Sequence, residues 1–211
     1  MKMTRRATLL ALVTAVSLMG WTGAGRAGDS TPEAVVESFH TDLLGVMKNA
    51  KTLGVAGRYK KFLGLIDSYF DMPLMVAFIT SESWRNASTE AKMGVVKAAK
   101  RLSAAELAVL FDSYGGETFK TTGSMVLRDK SVLVETALKR ENDPDVKVSY
   151  RVRKFGDKWR IIDVLLDGTI SQLVKRRGEY YRTLVDSGIS GLTKLLNAKA
   201  DEITAPVQAQ N

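Results

Sequence analysis

The fold of this chain is decided by residues Trp159 to Ser171, which read WRIIDVLLDGTIS. The first part is rich in aromatic and β-branched residues, which favour a strand, and Gly156-Asp157 supplies a turn in front of it. After Gly168 the spacing of apolar residues changes from two to about 3.6, which indicates a helix. A strand that leads into a helix folded back over its sheet encloses apolar space between two layers. We place the candidate site in that space.

The strand beginning at Trp159 is the last of four. Apolar and polar residues alternate over about 120–128, 131–140, 146–154 and 158–166, and turn-forming residues separate these segments. Alternation of this kind is typical of an antiparallel sheet with one wet and one apolar face.

Helical patterns surround the sheet in sequence. Before it, apolar residues recur at helical spacing over about 32–47, 58–70, 74–79 and 88–114; after it, they do so over about 169–185 and 190–203. Ser103 and Glu106 form a capping box that predicts a kink near Arg101 in the fourth of these helices. Helices, then an antiparallel sheet, then helices predict an α+β domain.

The N-terminus has the pattern of an export signal. Lys2, Arg5 and Arg6 precede an apolar run from Ala7 to Met19, and Gly25-Arg26-Ala27 has the small residues of a cleavage site. The apolar run is shorter than the ~20 residues that a membrane-spanning helix needs. We therefore predict a cleaved signal peptide and an exported protein, with the Sec and twin-arginine routes both open.

The prediction divides the chain into a signal peptide at 1–27, one domain at 28–204 and a flexible tail at 205–211. Removing the signal peptide takes away four basic residues and no acidic one, so the net charge falls from +8 to +4. No segment is densely basic with interleaved aromatic residues, so we expect no nucleic-acid partner. The sequence has no cysteine, so stability must come from core packing without disulfides.

Residues with catalytic potential are few. His40 is the only histidine, which leaves no imidazole pair for a metal site and no recognisable triad. For Asp163 and Asp167 we expect a capping role, or an ion pair with the nearby Arg177 or Arg182, in preference to acid–base catalysis. No glycine-rich loop has phosphate-binding spacing. We therefore expect neither an enzyme nor a bound metal or cofactor.

What remains is a surplus of apolar residues in the helices and on one face of the sheet. Periodicity identifies such residues as buried, but it does not distinguish a filled core from a hollow one. From the residues alone, both a packed interior and a ligand cavity stay open.

A resemblance to a known family bears on this choice. The pattern of strand, glycine, small residue, serine, helix and Gly-Ile-x-Gly-Leu resembles the MlaC family, the periplasmic lipid carriers of a toluene-tolerance type ABC transport system. The matching residues are Trp159, Ile161, Asp163, Val164, Gly168, Ser171, Tyr181, Gly188, Ile189, Gly191 and Leu192. The likeness extends from about Pro32 to Leu196.

Two further segments are similar to the hopanoid-associated, HpnM-like branch of that family. They are Arg101-Leu102-Ser103 followed by 111–119 (FDSYGGETF), and 167–171 (DGTIS) followed by 176–180 (RRGEY). One departure is that 105–109 lacks the aromatic residue expected in this branch.

The resemblance implies a carrier whose curved sheet, of about four strands, and helices enclose an apolar cleft. The cargo would be a phospholipid or a hopanoid. The partners would be an inner-membrane ABC/MCE-type transport complex, an outer-membrane lipoprotein complex and, transiently, a membrane surface; we expect a monomer. The residues predicted to line the cleft are Phe70, Leu74, Met75, Phe78, Ile79, Phe111, Tyr114, Phe119, Val134, Leu138, Val148, Tyr150, Val152, Trp159, Ile161, Ile170, Leu173 and Tyr180.

Two alternatives belong to other classes. The first is an enzyme or accessory factor that acts on hopanoids or envelope lipids, which would need paired titratable groups inside a pocket. The second is an interaction module of a transporter, with a filled core and no lipid.

Overall fold

The computed structural model describes residues 31–141 and 143–208, with side chains described as far as residue 205. The predicted signal peptide lies outside the described residues, and so do residues 209–211 of the predicted tail. Within the described part the chain forms helices, then one sheet, then a final helix. This is the α+β architecture that the sequence predicts.

The helices before the sheet are α1 (Pro32–Lys48), α2 (Ala50–Tyr69), α3 (Met72–Thr80), α4 (Glu82–Arg85) and α5 (Thr89–Leu110), and α6 (Gln172–Gln208) follows it. Thr31 caps α1, because its hydroxyl accepts a hydrogen bond from the Ala34 amide at 3.1 Å.

Two long helices differ in continuity. The predicted kink near Arg101 is wrong: α5 is one regular helix, and Ser103 and Glu106 lie on its inner side instead of capping a new segment. By contrast, α6 is broken at Gly188, where φ is 60° and ψ is −161°. The left-handed φ suits glycine, and the break falls in the predicted gap between the last two helices.

The sheet contains the strands β1 (Thr118–Val126), β2 (Val132–Lys139), β3 (Val146–Phe155), β4 (Lys158–Leu166) and β5 (Ile170–Ser171), all antiparallel and paired in chain order. The first four confirm the predicted meander. The two-residue β5 is an addition that the sequence did not predict, and it carries the chain from the edge of β4 into α6.

Strand register arranges the inner face of the sheet in four rows. From one end to the other they are Phe119-Leu138-Val146, then Thr136-Val148-Leu166, then Val134-Tyr150-Val164, and finally Val132-Val152-Ile161. Bulges interrupt the pairing at Thr122 in β1 and at Ile162 in β4, and a bulge bends its strand.

The last row is covered directly by the chain between α2 and α3. There the Asp71 amide donates a hydrogen bond to the Ile161 carbonyl at 2.9 Å, and Phe70 forms a parallel bridge with Ile161. Val152 and Ile161 are fully buried beneath this contact. Helices and sheet therefore meet without a gap at this end, which we call the packed end.

Candidate functional site

Each of the other three rows contributes residues to the wall of a cavity of about 550 Å³ between the sheet and the helices. Its wall is mostly apolar and comes from α1, α2, α3, α5, α6 and the inner face of the sheet. The end of the sheet that carries these rows is called the open end. Here side chains of the helices and of the sheet line the space between the layers, whereas at the packed end the backbone of the α2–α3 junction is hydrogen-bonded to β4.

Ten of the eighteen residues predicted from the sequence lie on the wall of this cavity. They are Phe70, Met75, Ile79, Phe111, Phe119, Leu138, Val148, Tyr150, Leu173 and Tyr180. The structure thus brings together residues from α3, β1, β2, β3 and α6 and from the C-terminal ends of α2 and α5. Their role in binding a ligand stays a prediction.

Three predicted wall residues belong instead to the packed core. Val134, Val152 and Ile161 are each fully buried and lie away from the cavity wall. Val152 and Ile161 form part of the row that the α2–α3 junction covers. Trp159 also lies off the wall, because it precedes Ile161 by two residues on the same side of β4, one step beyond the packed row.

Four other predicted residues point away from the cavity. Leu74 and Phe78 lie on the side of α3 opposite its buried residues, and Phe78 lies under the Arg177 guanidinium, 5.6 Å from ring centroid to Cζ. Tyr114 follows the end of α5 and is exposed, with the Lys48 ammonium 5.3 Å above its ring. Ile170 is exposed on β5, a strand that the sequence did not predict.

The bulge in β4 explains two wall residues that sequence reasoning missed. Strict alternation from Ile161 places Asp163 and Leu165 on the inner face. Because Ile162 is an extra residue, Val164 and Leu166 take those inner positions instead, beside Tyr150 and Val148. No feature of the sequence signals this bulge.

The remaining missed apolar residues lie on helical stripes. Periodicity places them on the apolar faces of their helices but gives no sign that these faces border a void. They are Phe39, Leu43, Ile66, Met72, Val76, Val95, Ala99, Leu102, Leu107, Leu110, Leu192 and Leu196.

Four polar residues also line the cavity: Ser103, Glu106, Gln172 and Arg176. The Arg176 guanidinium donates to the Glu106 carboxylate at 2.6 Å and to the Tyr180 hydroxyl at 3.1 Å. Burial opposes the charge of Arg176, but Tyr180 and Glu106 nevertheless hold the pKa of its guanidinium above the ordinary value. An ion pair therefore joins α5 to α6 across an otherwise apolar wall.

A second polar contact lies where the cavity meets the core. His40 is buried, stacks on Phe119 with ring centroids 3.8 Å apart, and shares a 3.0 Å hydrogen bond between its Nε2 and the Tyr150 hydroxyl. Burial lowers the pKa of His40 from 6.5 to about 3, and burial also raises the pKa of Tyr150 above its ordinary value. Both rings are therefore uncharged near neutral pH.

Asp163 positions the start of α6. One carboxylate oxygen accepts from the Leu173 amide at 3.2 Å and the Val164 amide at 2.8 Å, and the other accepts from the Ser171 hydroxyl at 2.5 Å. The Ser171 hydroxyl in turn accepts from the Val174 amide. Asp163 is thus a capping residue, as the sequence favoured, and its oxygens are occupied by the backbone and Ser171.

A buried arginine joins α2 to α5, two of the helices that form the cavity wall. Arg58 donates through Nε to the Ala108 carbonyl and through Nη1 to the Ala50 carbonyl, both at 2.8 Å. A cation near the last carbonyls of a helix is favourable, so Arg58 holds the C-terminal turn of α5 against α2.

Among the residues that the structure describes, no group of three or more histidine or acidic side chains is arranged to hold a metal ion. Within the same part of the chain, no helix has both the length and the apolar character needed to cross a membrane.

Comparisons with known proteins agree with this geometry. Among solved structures, the phospholipid-binding protein from Ralstonia solanacearum, solved in complex with a phospholipid, matches with a TM-score of 0.71 and 19% sequence identity. The match covers 84% of this chain and 99% of that chain, and at this identity it shows a shared fold. A comparison with curated protein sequences found no match. The sequence profile of the MlaC protein family matches residues 37–198, so the chain belongs to the MlaC family.

Proposed function

We propose that this protein is a non-enzymatic lipid carrier that holds the hydrocarbon part of one lipid in the cavity at the open end. The observation that carries the proposal is an apolar cavity of about 550 Å³ enclosed between the two layers of a MlaC-family chain. The phospholipid bound by the structurally similar Ralstonia protein supports the same class of cargo.

The energetics of the cavity suit a reversible carrier. Burying about ten methylene groups contributes roughly 8 kcal/mol relative to water, and the cost of immobilising the lipid offsets part of this gain. A bilayer shields the acyl chains from water as well as the cavity does. The free energy of transferring the acyl chains between a membrane and this cavity is therefore close to zero. A carrier needs this balance, because it must both extract and release its cargo.

The finer parts of the proposal concern cargo, place and partners. The signal-like sequence at 1–27 and the family support a periplasmic location. A phospholipid is the first candidate cargo, and the HpnM-like segments support a hopanoid as the second. We propose an inner-membrane ABC/MCE-type complex and an outer-membrane lipoprotein complex as the donor and acceptor.

The test is native mass spectrometry of the mature protein purified from a membrane-containing host, followed by organic extraction and lipid identification. We expect about one lipid per chain. Ala99→Phe, which projects a ring from α5 into the cavity, should lower the bound fraction severalfold. Ala198→Phe adds the same ring to an exposed position of α6 and should leave it unchanged.

A lipid-free mass that persists after incubation with lipid vesicles would contradict the proposal. It would favour the alternative of an interaction module that binds a transporter subunit without cargo. Turnover of a lipid by the purified protein would instead favour the enzymatic alternative.

A further inference from the structure

The ion pair on the cavity wall lies close to the cavity mouth. Leu110 is 70% exposed and Leu166 is 40% exposed although both also line the cavity, so they mark its rim. Glu106 is one helical turn inward from Leu110 on α5, and Arg176 is one turn along α6 from the half-buried Gln172. A lipid with its hydrocarbon in the cavity would therefore place its polar end near this pair.

The charge of Arg176 is already compensated inside the protein. Its guanidinium contacts Glu106 at 2.6 Å and Glu179 at 3.2 Å, and its third partner is the Tyr180 hydroxyl. The Lys199 ammonium lies 5.9 Å from the centroid of the Tyr180 ring. Two positive and two negative side chains thus surround Tyr180, and together they carry no net charge.

This balance has a consequence for recognition. A phosphate with no positive charge of its own could reach Arg176 only by competing with a carboxylate at hydrogen-bond distance, and it would then lie beside that carboxylate. A headgroup carrying both a phosphate and an ammonium group can complement Arg176 with one end and Glu106 or Glu179 with the other.

We propose that the Glu106–Arg176 pair selects cargo by headgroup charge, favouring lipids with a zwitterionic, amine-bearing headgroup over lipids whose headgroup is a net anion. The inference rests on the proposed carrier function and names the class of lipid that the same cavity takes. In this role Glu106 and Arg176 are specificity-determining residues at the mouth, while the apolar wall supplies the affinity.

The experiment measures which of two lipids delipidated protein takes up from mixed vesicles. Vesicles contain phosphatidylethanolamine and phosphatidylglycerol in equal amounts with identical acyl chains, and the protein is re-isolated, extracted and its lipids quantified. We expect phosphatidylethanolamine to be enriched about threefold over the vesicle ratio, the size of effect typical of a partly exposed charge pair. Raising the salt to 0.5 M should reduce this enrichment, because salt screens exposed charges.

Two variants should move the ratio in opposite directions. Glu106→Gln removes one negative charge and leaves Arg176 under-compensated, so bound phosphatidylglycerol should rise. Arg176→Gln removes the positive charge, so bound phosphatidylglycerol should fall below the wild-type level. Arg101→Gln is the matched control: Arg101 also joins α5 to α6, through Asp201 at 2.5 Å, but it lies away from the cavity wall.

The outcomes separate the two proposals. If lipid is bound at the vesicle ratio by the wild type, or if both variants shift the ratio in the same direction, charge selection is wrong and the carrier function stands. If no lipid is taken up from vesicles of any composition, the carrier proposal fails and selection fails with it.

Discussion

The two ends of the sheet's inner face are built from the same kinds of residue but have opposite outcomes. At the packed end, Val132, Val152 and Ile161 lie under the α2–α3 junction, and the backbone of that junction is hydrogen-bonded to β4. At the open end, Val148 and Leu166 face a cavity of about 550 Å³. Aliphatic side chains thus fill one end and line a void at the other.

The difference lies in what fixes the distance between the layers. A direct backbone hydrogen bond draws the chain onto the sheet at the packed end. At the open end helices and sheet meet through side chains, since His40 of α1 stacks on Phe119 and shares a hydrogen bond with the Tyr150 hydroxyl. Arg58 ties α5 to α2, and the Glu106–Arg176 pair ties α5 to α6. These helix–helix ties and the side-chain contacts of α1 together set the spacing of the two layers around the cavity.

The largest change in the free energy of unfolding is expected when equivalent truncations are made at the two ends of β4. Ile161→Ala and Leu166→Ala each remove three carbon atoms. We expect Ile161→Ala to lower the free energy of unfolding by about 3 kcal/mol, since it opens a void in a packed core. Leu166→Ala should cost about 1 kcal/mol, because this side chain is 40% exposed and already borders a cavity. Urea unfolding measures both, and equal losses would show that the two ends are packed alike.

The next test adds volume instead of removing it. Ala104→Phe forces a ring into a fully buried position of α5, and overpacking of this kind costs about 2–3 kcal/mol. Ala99→Phe, five residues earlier on the same helix, places the ring in the cavity and should change stability by less than about 0.5 kcal/mol in lipid-free protein. A large loss at Ala99 would mean that the cavity is too shallow to accept the ring.

A pH measurement probes His40, which joins α1 to Phe119 and Tyr150 at the open end. The unfolded chain protonates this imidazole near pH 6.5, but the folded protein does so only near its lowered pKa of about 3. The unfolded state therefore binds the extra proton between these values, and stability falls as the pH drops below 6.5. The loss from this group should reach about 2 kcal/mol between pH 7 and pH 5.

His40→Gln provides the control, because it removes the titrating group and keeps a polar side chain near Tyr150. Its stability should depend less on pH in that interval than the stability of the wild type. Parallel pH profiles for the two proteins would show that the imidazole is protonated within the folded state.

The smallest expected change in stability is at the rim. Leu110→Ser alters a side chain that is 70% exposed, so the free energy of unfolding should change by less than about 0.5 kcal/mol. Lipid retention should nevertheless fall measurably, because the rim borders the cavity. A loss of stability comparable to that of Ile161→Ala would show that the rim is part of the core.

Sequence patterns predicted the α+β class, four of the strands and the glycine break in the last helix, because these depend on local periodicity and turn residues. They did not predict which buried residues line a void. Val152 and Val148 occupy equivalent positions in the alternation of β3, and only the α2–α3 junction, more than 70 residues away in sequence, distinguishes them. The Glu106–Arg176 pair was missed for the same reason: its partners are brought together only by the packing of α5 on α6.

The bulge at Ile162 also bears on how this fold can diverge. Loss of that one residue would restore regular pairing between β3 and β4 while leaving Ile161 and Val164 on the same side of the strand. The bend of the strand can therefore change without changing the side of the sheet to which Ile161 and Val164 point. Single-residue insertions and deletions at this position would let homologous chains alter the shape of the cavity while the same side chains continue to line it.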